Sequence, residues 1–370
     1  MEHGWWKVLL EREINQVYTS VALQSLATSM IALFAPIYLV YELGYSVSMM
    51  CLFYLIFSTF FAITSPAAGK VVARWGMKHS TIFSIPLTIL AFLCLYSIRT
   101  YDWLFFFAAL FFGAARSLYW LGIHLEFFYV SDDDHRGEQV GMRHAATILP
   151  ALLGPLLGGI IIQQYGFLAT FIVASIILVC GALLLLLSED HHEPFDVDWN
   201  RVLSRQYWRL APYYYWKGIW MISNTVFWPF LMYTILGGYI QLGIIATVLS
   251  IVTVIVTVLM GRVGDRIGHF RLLKYSIPFE SVSWFVRHMV TTTSHVYGVI
   301  FMQGLSHGAS QSSLGAVDYK YVGEHHIEYF IVREMFISIG RLLGVLIFMF
   351  FGYQILFSTV GILSFSIFLL

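Results

Sequence analysis

Residues 167–187 read FLATFIVASIILVCGALLLLL, and residues 242–260 read LGIIATVLSIVTVIVTVLM. Neither stretch contains a charged residue, and each matches the roughly 20 residues that a helix needs to cross about 30 Å of hydrocarbon. Backbone polar groups in lipid must find their hydrogen bonds within the segment, which only a helix allows for a single stretch. The two stretches therefore predict transmembrane helices.

The composition of the whole chain agrees with this prediction. Hydrophobic residues make up 59% of the 370 residues and charged residues 11%, against roughly a quarter charged in a typical soluble domain. The expected class is therefore an all-α integral membrane protein in contact with the lipid bilayer. The net charge of zero argues against nucleic acid as a partner. Cys51, Cys94 and Cys180 show no paired spacing, so neither a disulfide framework, a metal site nor another cofactor is expected.

Twelve apolar runs are long enough to span a membrane, and the charged stretch Glu189–Arg209 separates six of them from the other six. The predicted domains are a six-helix bundle at 1–188, a linker at 189–209 and a second six-helix bundle at 210–370. The predicted helices lie near 16–40, 47–68, 80–98, 103–129, 144–163, 167–188, 210–236, 239–260, 274–290, 296–317, 329–350 and 353–370.

The distribution of Lys and Arg predicts the orientation of these helices. With the N-terminus inside, the cytoplasmic segments hold fifteen cations and the outer loops hold only Arg99. Positive loops stay on the cytoplasmic side, so both termini are expected there, in a multi-pass protein of the cell membrane.

The two halves of the sequence align with a nearly constant offset. Gly44 corresponds to Gly237, Gly76 to Gly268 and Pro86 to Pro278, at offsets of 192 or 193. Further pairs are Glu126 with Asp318, Arg116 with His307, and Arg143 with Arg333. A register kept over this length predicts a parallel internal repeat, which makes the two bundles pseudo-symmetric.

One loop carries a recognisable motif. Residues 261–271 read GRVGDRIGHFR, and residues 69–78 read GKVVARWGMK. These loops resemble the repeated G-x-x-x-D-R-x-G-R-[KR] signature of the major facilitator superfamily, with Ala73 in place of the acid in the first copy. The resemblance covers essentially the whole chain and implies transport by alternating access of two bundles, typically in a monomer.

The resemblance also implies residues that hold the cytoplasmic side closed. The glycines shape the turns, and Asp265 is expected to meet Arg333, Arg266 to meet Asp318, and Arg74 to meet Glu126. The residues with this conformational role are Gly69, Arg74, Gly76, Glu126, Arg143, Gly261, Asp265, Arg266, Gly268, Asp318 and Arg333.

A second motif lies in the fifth predicted helix. Gly154, Pro155, Gly158 and Gly159 resemble the G-x-x-x-G-P-x-x-G-G part of a signature found in proton-coupled exporters of the family, with Pro150 in place of its first glycine. Small residues allow close helix packing, so these residues are also expected to act in conformational change, and ordinary helix packing is the alternative. Arg116 stands where many exporters of the family carry an arginine in helix 4.

Ionisable side chains at membrane depth are costly, so each one is a candidate functional residue. In the family, helices 1, 4, 7 and 10 line a central cavity and helix 9 lies outside it. The predicted substrate-binding residues are Gln24, Arg116, Lys217, Asn224, His307, Gln311 and Arg341. The alternative is that Arg116 and Arg341 only hold the bundles together.

Three groups within predicted helices can exchange a proton: Glu280, Glu334 and His307. The first helix contains no acid, so proton coupling stays open. Glu280 and Arg287 lie seven residues apart and share one helix face, which favours a structural contact with a neighbouring helix.

The predicted function is secondary transport of a small organic solute, with a slight preference for anions because cations outnumber acids at cavity depth. A multidrug or cation–proton antiporter is the alternative within the same class. A non-transporting membrane sensor or assembly subunit is an alternative of another class. No enzyme is expected, because no in-span Ser/His/Asp set or H-E-x-x-H motif occurs.

Overall fold

The structure is a computed structural model that describes residues 13–130, 136–187, 196–202, 204–320 and 326–369. These residues are helical almost throughout and contain no strand. The prediction of an all-α fold is therefore confirmed for the described part of the chain.

Long helices follow one another with short connections. The first helix, α1, runs over Glu13–Ala32 and continues through Ala35–Ile37 into a π-helical turn, Tyr38–Glu42. The next three are α2 (Val47–Trp75), α3 (Met77–Ser97) and α4 (Leu104–Val130). Arg136–Leu187 bends at Gly166 and contains α5 (136–165) and α6 (167–187).

Two short helices, Trp199–Val202 and Arg205–Trp208, lead into the second half. This half contains α7 (Ala211–Leu236, with a π-helical turn at Ser223–Phe227), α8 (Tyr239–Ile267), α9 (His269–Arg287) and α10 (Thr293–Lys320). His326–Leu363 bends at Gly352 into α11 (326–351) and α12 (353–363), and α12 is followed by a 3₁₀ turn at Ser364–Leu369.

Eight helices of the described residues are long and apolar enough to cross a membrane. Two of them contain the bends at Gly166 and Gly352, where φ is +79° and +74°. A residue with a Cβ rarely adopts such angles, so glycine permits one helix to end and the next to start without a loop. With the more polar α9 and α10 included, the long helices are consistent with the predicted twelve.

The backbone repeats the symmetry seen in the sequence. The glycines with positive φ in the described residues form three pairs with nearly equal angles: Gly44 and Gly237 (72° and 70°), Gly76 and Gly268 (94° and 92°), and Gly166 and Gly352 (79° and 74°). Each pair stands at corresponding turns of the two halves. The repeat is therefore a property of the backbone as well as of the sequence.

Packing divides the chain into two compact units. The first consists of Met1–Ala32 and Ile56–Trp199, and the second of Leu33–Leu55 and Asn200–Leu370. The second unit therefore includes the end of α1 and the start of α2. There, the rings of Tyr41 and Tyr233 lie 5.0 Å apart, and the Tyr239 hydroxyl donates a 2.9 Å hydrogen bond to Glu42.

Glycines allow the closest helix contacts inside each unit. In the first unit, a Cβ on Gly154 would lie 1.8 Å from Ser29 Oγ, and one on Gly158 would lie 2.3 Å from the Met30 carbonyl oxygen. In the second unit, a Cβ on Gly340 would lie 2.3 Å from the Tyr215 carbonyl oxygen. The α1–α5 contact and the α7–α11 contact are thus built in the same way, with backbone against backbone.

Candidate functional site

Three helices of the second unit carry polar residues at spacings that place one above another on the same face. A separation of four residues corresponds to a rise of about 6 Å, and one of seven to about 10 Å. The residues concerned are Trp220 and Asn224 on α7, Glu280 and Arg287 on α9, and Gln303 and His307 on α10. They form two layers, which we call the glutamate layer and the arginine layer.

The glutamate layer is centred on Glu280, whose side chain is only 1% exposed. Trp220 donates its indole N–H to Glu280 Oε1 at 2.9 Å, and the Ser310 hydroxyl donates to Oε2. His307 Nδ1 lies 3.7 Å from Oε1, and its ring lies against the Trp220 ring at a centroid distance of 4.8 Å. A buried carboxylate is thus held by groups from two neighbouring helices.

His307 has a second polar neighbour on its own helix. The side-chain amide nitrogen of Gln311, one turn along α10, lies 3.2 Å from His307 Nδ1. Nδ1 accepts this N–H when the neutral ring carries its proton on Nε2, whereas a proton on Nδ1 turns that nitrogen into a donor. The partner of Nδ1, Gln311 or Glu280, therefore depends on where the ring is protonated.

The arginine layer is centred on Arg287, which is 2% exposed. Its NH1 group donates to Asn224 Oδ1 at 3.0 Å, and Gln303 donates to the same oxygen at 3.2 Å. The guanidinium lies 3.5 Å from the centroid of the Trp284 ring and 5.4 Å from that of Trp228. Cation–π contacts of this kind help to stabilise a charge removed from water.

Several polar atoms around Arg287 have no hydrogen-bond partner among the described residues. These buried atoms are Arg287 Nε, Gln303 Oε1, Trp228 Nε1 and Trp284 Nε1. A purely structural buried network is normally satisfied, because each unpaired group costs about 1–3 kcal/mol. An ordered water or a polar group of a ligand can pair with atoms of this kind.

The predicted substrate residues fall into separate groups. Asn224, His307 and Gln311 belong to the two layers, together with the proton-exchange candidate Glu280. Gln24 is buried in the first unit and donates to Ser20 Oγ at 3.3 Å. Since the two units are separate bodies, the placement of Gln24 beside the others stays a prediction.

The three remaining cations have different surroundings. Half-buried Arg116 lies 6.0 Å from the centroid of the Tyr119 ring. Lys217 lies 5.6 Å from the Tyr213 ring centroid. Buried Arg341 donates to Ser338 Oγ at 3.4 Å and lies 3.7 Å from Met221 Sδ.

The third proton-exchange candidate, Glu334, pairs with its neighbour Arg333, and both side chains are buried. The Arg333 guanidinium also lies 6.0 Å from the ring centroids of Tyr214 and Phe330. This pair lies near the start of α11, away from the two polar layers along the chain. Its carboxylate is already neutralised by an adjacent cation.

At the α8–α9 turn, Asp265 pairs with His269 at 3.3 Å, and its side chain is 73% exposed. In the equivalent α2–α3 turn, exposed Arg74 lies 5.7 Å from the Trp75 ring centroid. Gly69 is buried and Gly261 half-buried beside these turns. The side chains of Glu126, Arg143 and Asp318 lie outside the described residues, so their predicted contacts stay predictions.

Sequence reasoning did not assign Trp220, Gln303 and Ser310 to a site. A signal was present on α10, where Gln303, His307 and Gln311 recur at four-residue spacing in an otherwise small and apolar helix. The sequence did not predict a polar role for Trp220, because a tryptophan in an apolar run is typical of the core or of the membrane interface.

Comparisons with known proteins agree with this fold. The sequence profile of the Major Facilitator Superfamily matches residues 17–237, which is more than half of the chain. A search of curated protein sequences finds no significant match.

Two solved structures are similar over nearly the whole chain. One is a bacterial homologue of the iron transporter ferroportin in an outward-facing state with soaked iron (12% identity, 96% of each chain covered, TM-score 0.69). The other is the nucleoside transporter NupG (12% identity, 96% of this chain and 98% of that chain, TM-score 0.69). At such identity these structures show a common fold, and together with the profile match they establish that this membrane protein belongs to the Major Facilitator Superfamily.

Proposed function

We propose that this chain is a secondary active transporter that moves a small organic anion by alternating access, coupled to protons. Export is the proposed direction, supported by the glycine and proline motif of α5. We also propose that it works as a monomer in the cell membrane with both termini in the cytoplasm, as the Lys and Arg distribution favours.

The observation that carries the anion proposal is the setting of Arg116. It lies in the middle of α4, and among the described residues its contact is the ring of Tyr119 rather than a carboxylate. Glu280 and Glu334, two buried carboxylates on other described helices, are engaged within the second unit. A half-buried cation without a counter-ion is costly, and an anionic solute would neutralise it.

Arginine suits this role better than lysine. Its planar guanidinium can grip a carboxylate or phosphate through two parallel hydrogen bonds. In the second unit, Lys217 on α7 and Arg341 on α11 are further cations within long helices. Arg116 would repel a lipophilic cation.

Proton coupling is proposed at His307 and Glu280. With His307 neutral, the charges of Glu280 and Arg287 cancel within the two layers. A proton on Nδ1 exchanges the Gln311 contact for one with Glu280 and leaves the layers with a net charge of +1. At low dielectric, this added charge changes the electrostatic energy of the layers enough to shift the equilibrium between two conformations of the transporter.

The anion proposal is tested by ligand binding to the purified protein. Organic anions, zwitterions and lipophilic cations are screened for a rise in thermal unfolding temperature, since a ligand that binds the folded state stabilises it. Arg116→Lys should weaken anion binding about 10- to 100-fold, which corresponds to a charged hydrogen bond of about 1.5–3 kcal/mol. Arg99→Lys is the matched control, because Arg99 is exposed in the turn between α3 and α4. Good cation binding that neither Arg116→Lys nor Arg341→Lys changes would show these arginines to be structural.

Proton coupling is tested in vesicles with an imposed pH gradient. Glu280→Gln and His307→Asn should each abolish the response of solute flux to the gradient, while Glu334→Gln should preserve it. The opposite pattern would move the coupling site to the Arg333–Glu334 pair. A flux that ignores the gradient in the wild-type protein would remove proton coupling from the proposal.

A further inference from the structure

An open groove of about 370 Å³ lies on the second unit between α9 and the end of α12, away from the two polar layers. It is lined by Phe270, Lys274, Pro278, Phe365 and Phe368. The α9 residues recur every four positions, and the two phenylalanines lie three apart in the 3₁₀ turn Ser364–Leu369, so each element offers one continuous face. The Phe270 and Phe368 rings meet edge to face at 5.9 Å at one end of the groove.

The groove lies beside an exposed face of α9. Neighbouring large side chains are exposed, with Tyr275 at 71% and Phe279 at 40%. Exposed tyrosine and phenylalanine are expected where a helix meets acyl chains and the headgroup region. Phenylalanine walls of this size suit acyl chains rather than a hydrated solute.

The groove begins at the first turns of α9, and this end of the helix carries several cations. Lys274 is exposed, and its ammonium lies 5.6 Å from the Phe270 ring centroid. Arg262, Arg266 and Arg271 are also exposed nearby along the chain. The one acid between them, Asp265, is engaged by His269. By the Lys and Arg distribution this end lies at the cytoplasmic face, where anionic lipid headgroups attract such clusters.

The exposed cation of the groove has no counterpart at the equivalent position of the first half. At the offset of 192, the position of Lys274 corresponds to Ile82 in the first half. Ile82 packs against a buried cluster that contains Val21, Tyr119 and Ile123. The same backbone position therefore serves the core in one half and carries an exposed cation in the other.

We propose that this groove is a binding site for one anionic glycerophospholipid, with the phosphate at Lys274 and an acyl chain along Pro278 and Phe365, away from the end closed by Phe270 and Phe368. The proposal does not depend on which solute the protein transports. It assigns a lipid partner to a surface that lies outside the proposed transport chemistry.

The test is native mass spectrometry of the purified full chain with an equimolar mixture of phosphatidylglycerol and phosphatidylcholine of identical acyl chains. The wild-type protein should retain phosphatidylglycerol in preference. Lys274→Gln should lower the retained ratio about fivefold, since one cation near an anionic headgroup contributes about 1 kcal/mol. Lys70→Gln is the matched control, because Lys70 is exposed on the same predicted side and lies against Trp199 in the first unit. An unchanged ratio in Lys274→Gln, or an equal fall in Lys70→Gln, would overturn the proposal.

A second measurement does not depend on the charge variant. A photo-crosslinking amino acid replaces Phe365 in the groove or, as a control, Phe106, which is exposed on α4. Crosslinks to phosphatidylglycerol should be enriched at position 365 over position 106. Millimolar glycerol phosphate should leave them unchanged, because the acyl chain supplies much of the binding. Equal crosslinking at both positions, or displacement by glycerol phosphate, would contradict a lipid site.

Discussion

Replacing Glu280 and Arg287 of α9 by the residues at the corresponding positions of the first half tests whether this charged pair has a structural or a functional role. At the offset of 192, Glu280 corresponds to Thr88 and Arg287 to Leu95. Thr88 hydrogen-bonds to the Ser84 carbonyl oxygen of its own helix, and Leu95 is buried in an apolar setting. The first half thus forms the same backbone turns without either charge. The perturbation is the pair of single variants Glu280→Thr and Arg287→Leu together with the double variant.

The expected magnitudes follow from the two layers. Glu280→Thr takes the acceptor from the Trp220 indole, at about 1–3 kcal/mol for a buried unpaired donor. It also removes the charge that balances Arg287 about 10 Å along the helix, worth about 2 kcal/mol at an effective dielectric constant near 20. A single variant should therefore lose about 3–5 kcal/mol, as for other broken buried charge pairs. The double variant should lose about 2 kcal/mol less than the sum of the two singles.

The assay is thermal and denaturant unfolding of the purified variants, combined with gradient-driven flux in vesicles. We expect the double variant to be about 2 kcal/mol more stable than the sum of the two single losses predicts, and to lose its response to a pH gradient. Additive losses within about 0.5 kcal/mol would show that the two charges do not interact. A folded double variant whose flux still responds to the pH gradient would refute a role of the glutamate and arginine layers in proton coupling.

Three further outcomes follow from the structure. Gly158→Ala should destabilise the protein by about 1–2 kcal/mol in the unfolding assay, because overpacking against Met30 exceeds the gain in helix propensity. Gly298→Ala should be neutral or stabilising in the same assay, because nothing lies within 4 Å of the new Cβ. Asp265→Asn should slow transport with little change in solute affinity, since it alters the α8–α9 turn rather than the site, and a large rise in Kd would contradict this. Accessibility tags within 189–209 and at either terminus should report from the cytoplasm, and a linker found outside would contradict the predicted topology.

The fold could be predicted from the sequence because the bilayer leaves few alternatives. Uncharged runs such as 167–187 must be helical, and paired glycines such as Gly76 and Gly268 mark equivalent turns. The boundaries shifted where polar residues extend a helix beyond the hydrocarbon. For instance, α9 begins at His269 instead of 274, because the positions after Gly268 are helical although they are too polar to read as a span.

The site was harder to predict, because it depends on which helix faces which. The spacing of Glu280 and Arg287 predicted that they share a face and contact a neighbouring helix, but it did not identify the partners on α7 and α10. The pairing of Arg116 with His307 in the repeat suggested a common role. In the structure, His307 lies beside Glu280 instead, and the setting of Arg116 is an aromatic ring of its own helix. Equivalent backbone positions therefore need not have equivalent chemical neighbours.

The cost of charge in lipid would have narrowed the choice of partners for α9. A helix at the periphery of its unit has a lipid face and an inner face, and neither Glu280 nor Arg287 can remain on the lipid face at several kcal/mol each. Both must turn inward, where only neighbouring helices with polar residues can receive them. In α10, the four-residue stripe of Gln303, His307 and Gln311 offers such a surface, and in α7 Asn224 and the Trp220 indole offer the other. Because the first half builds the same turns with Thr88 and Leu95, this inward polar face is an addition to the scaffold, which supports the proposed role of Glu280 in proton coupling.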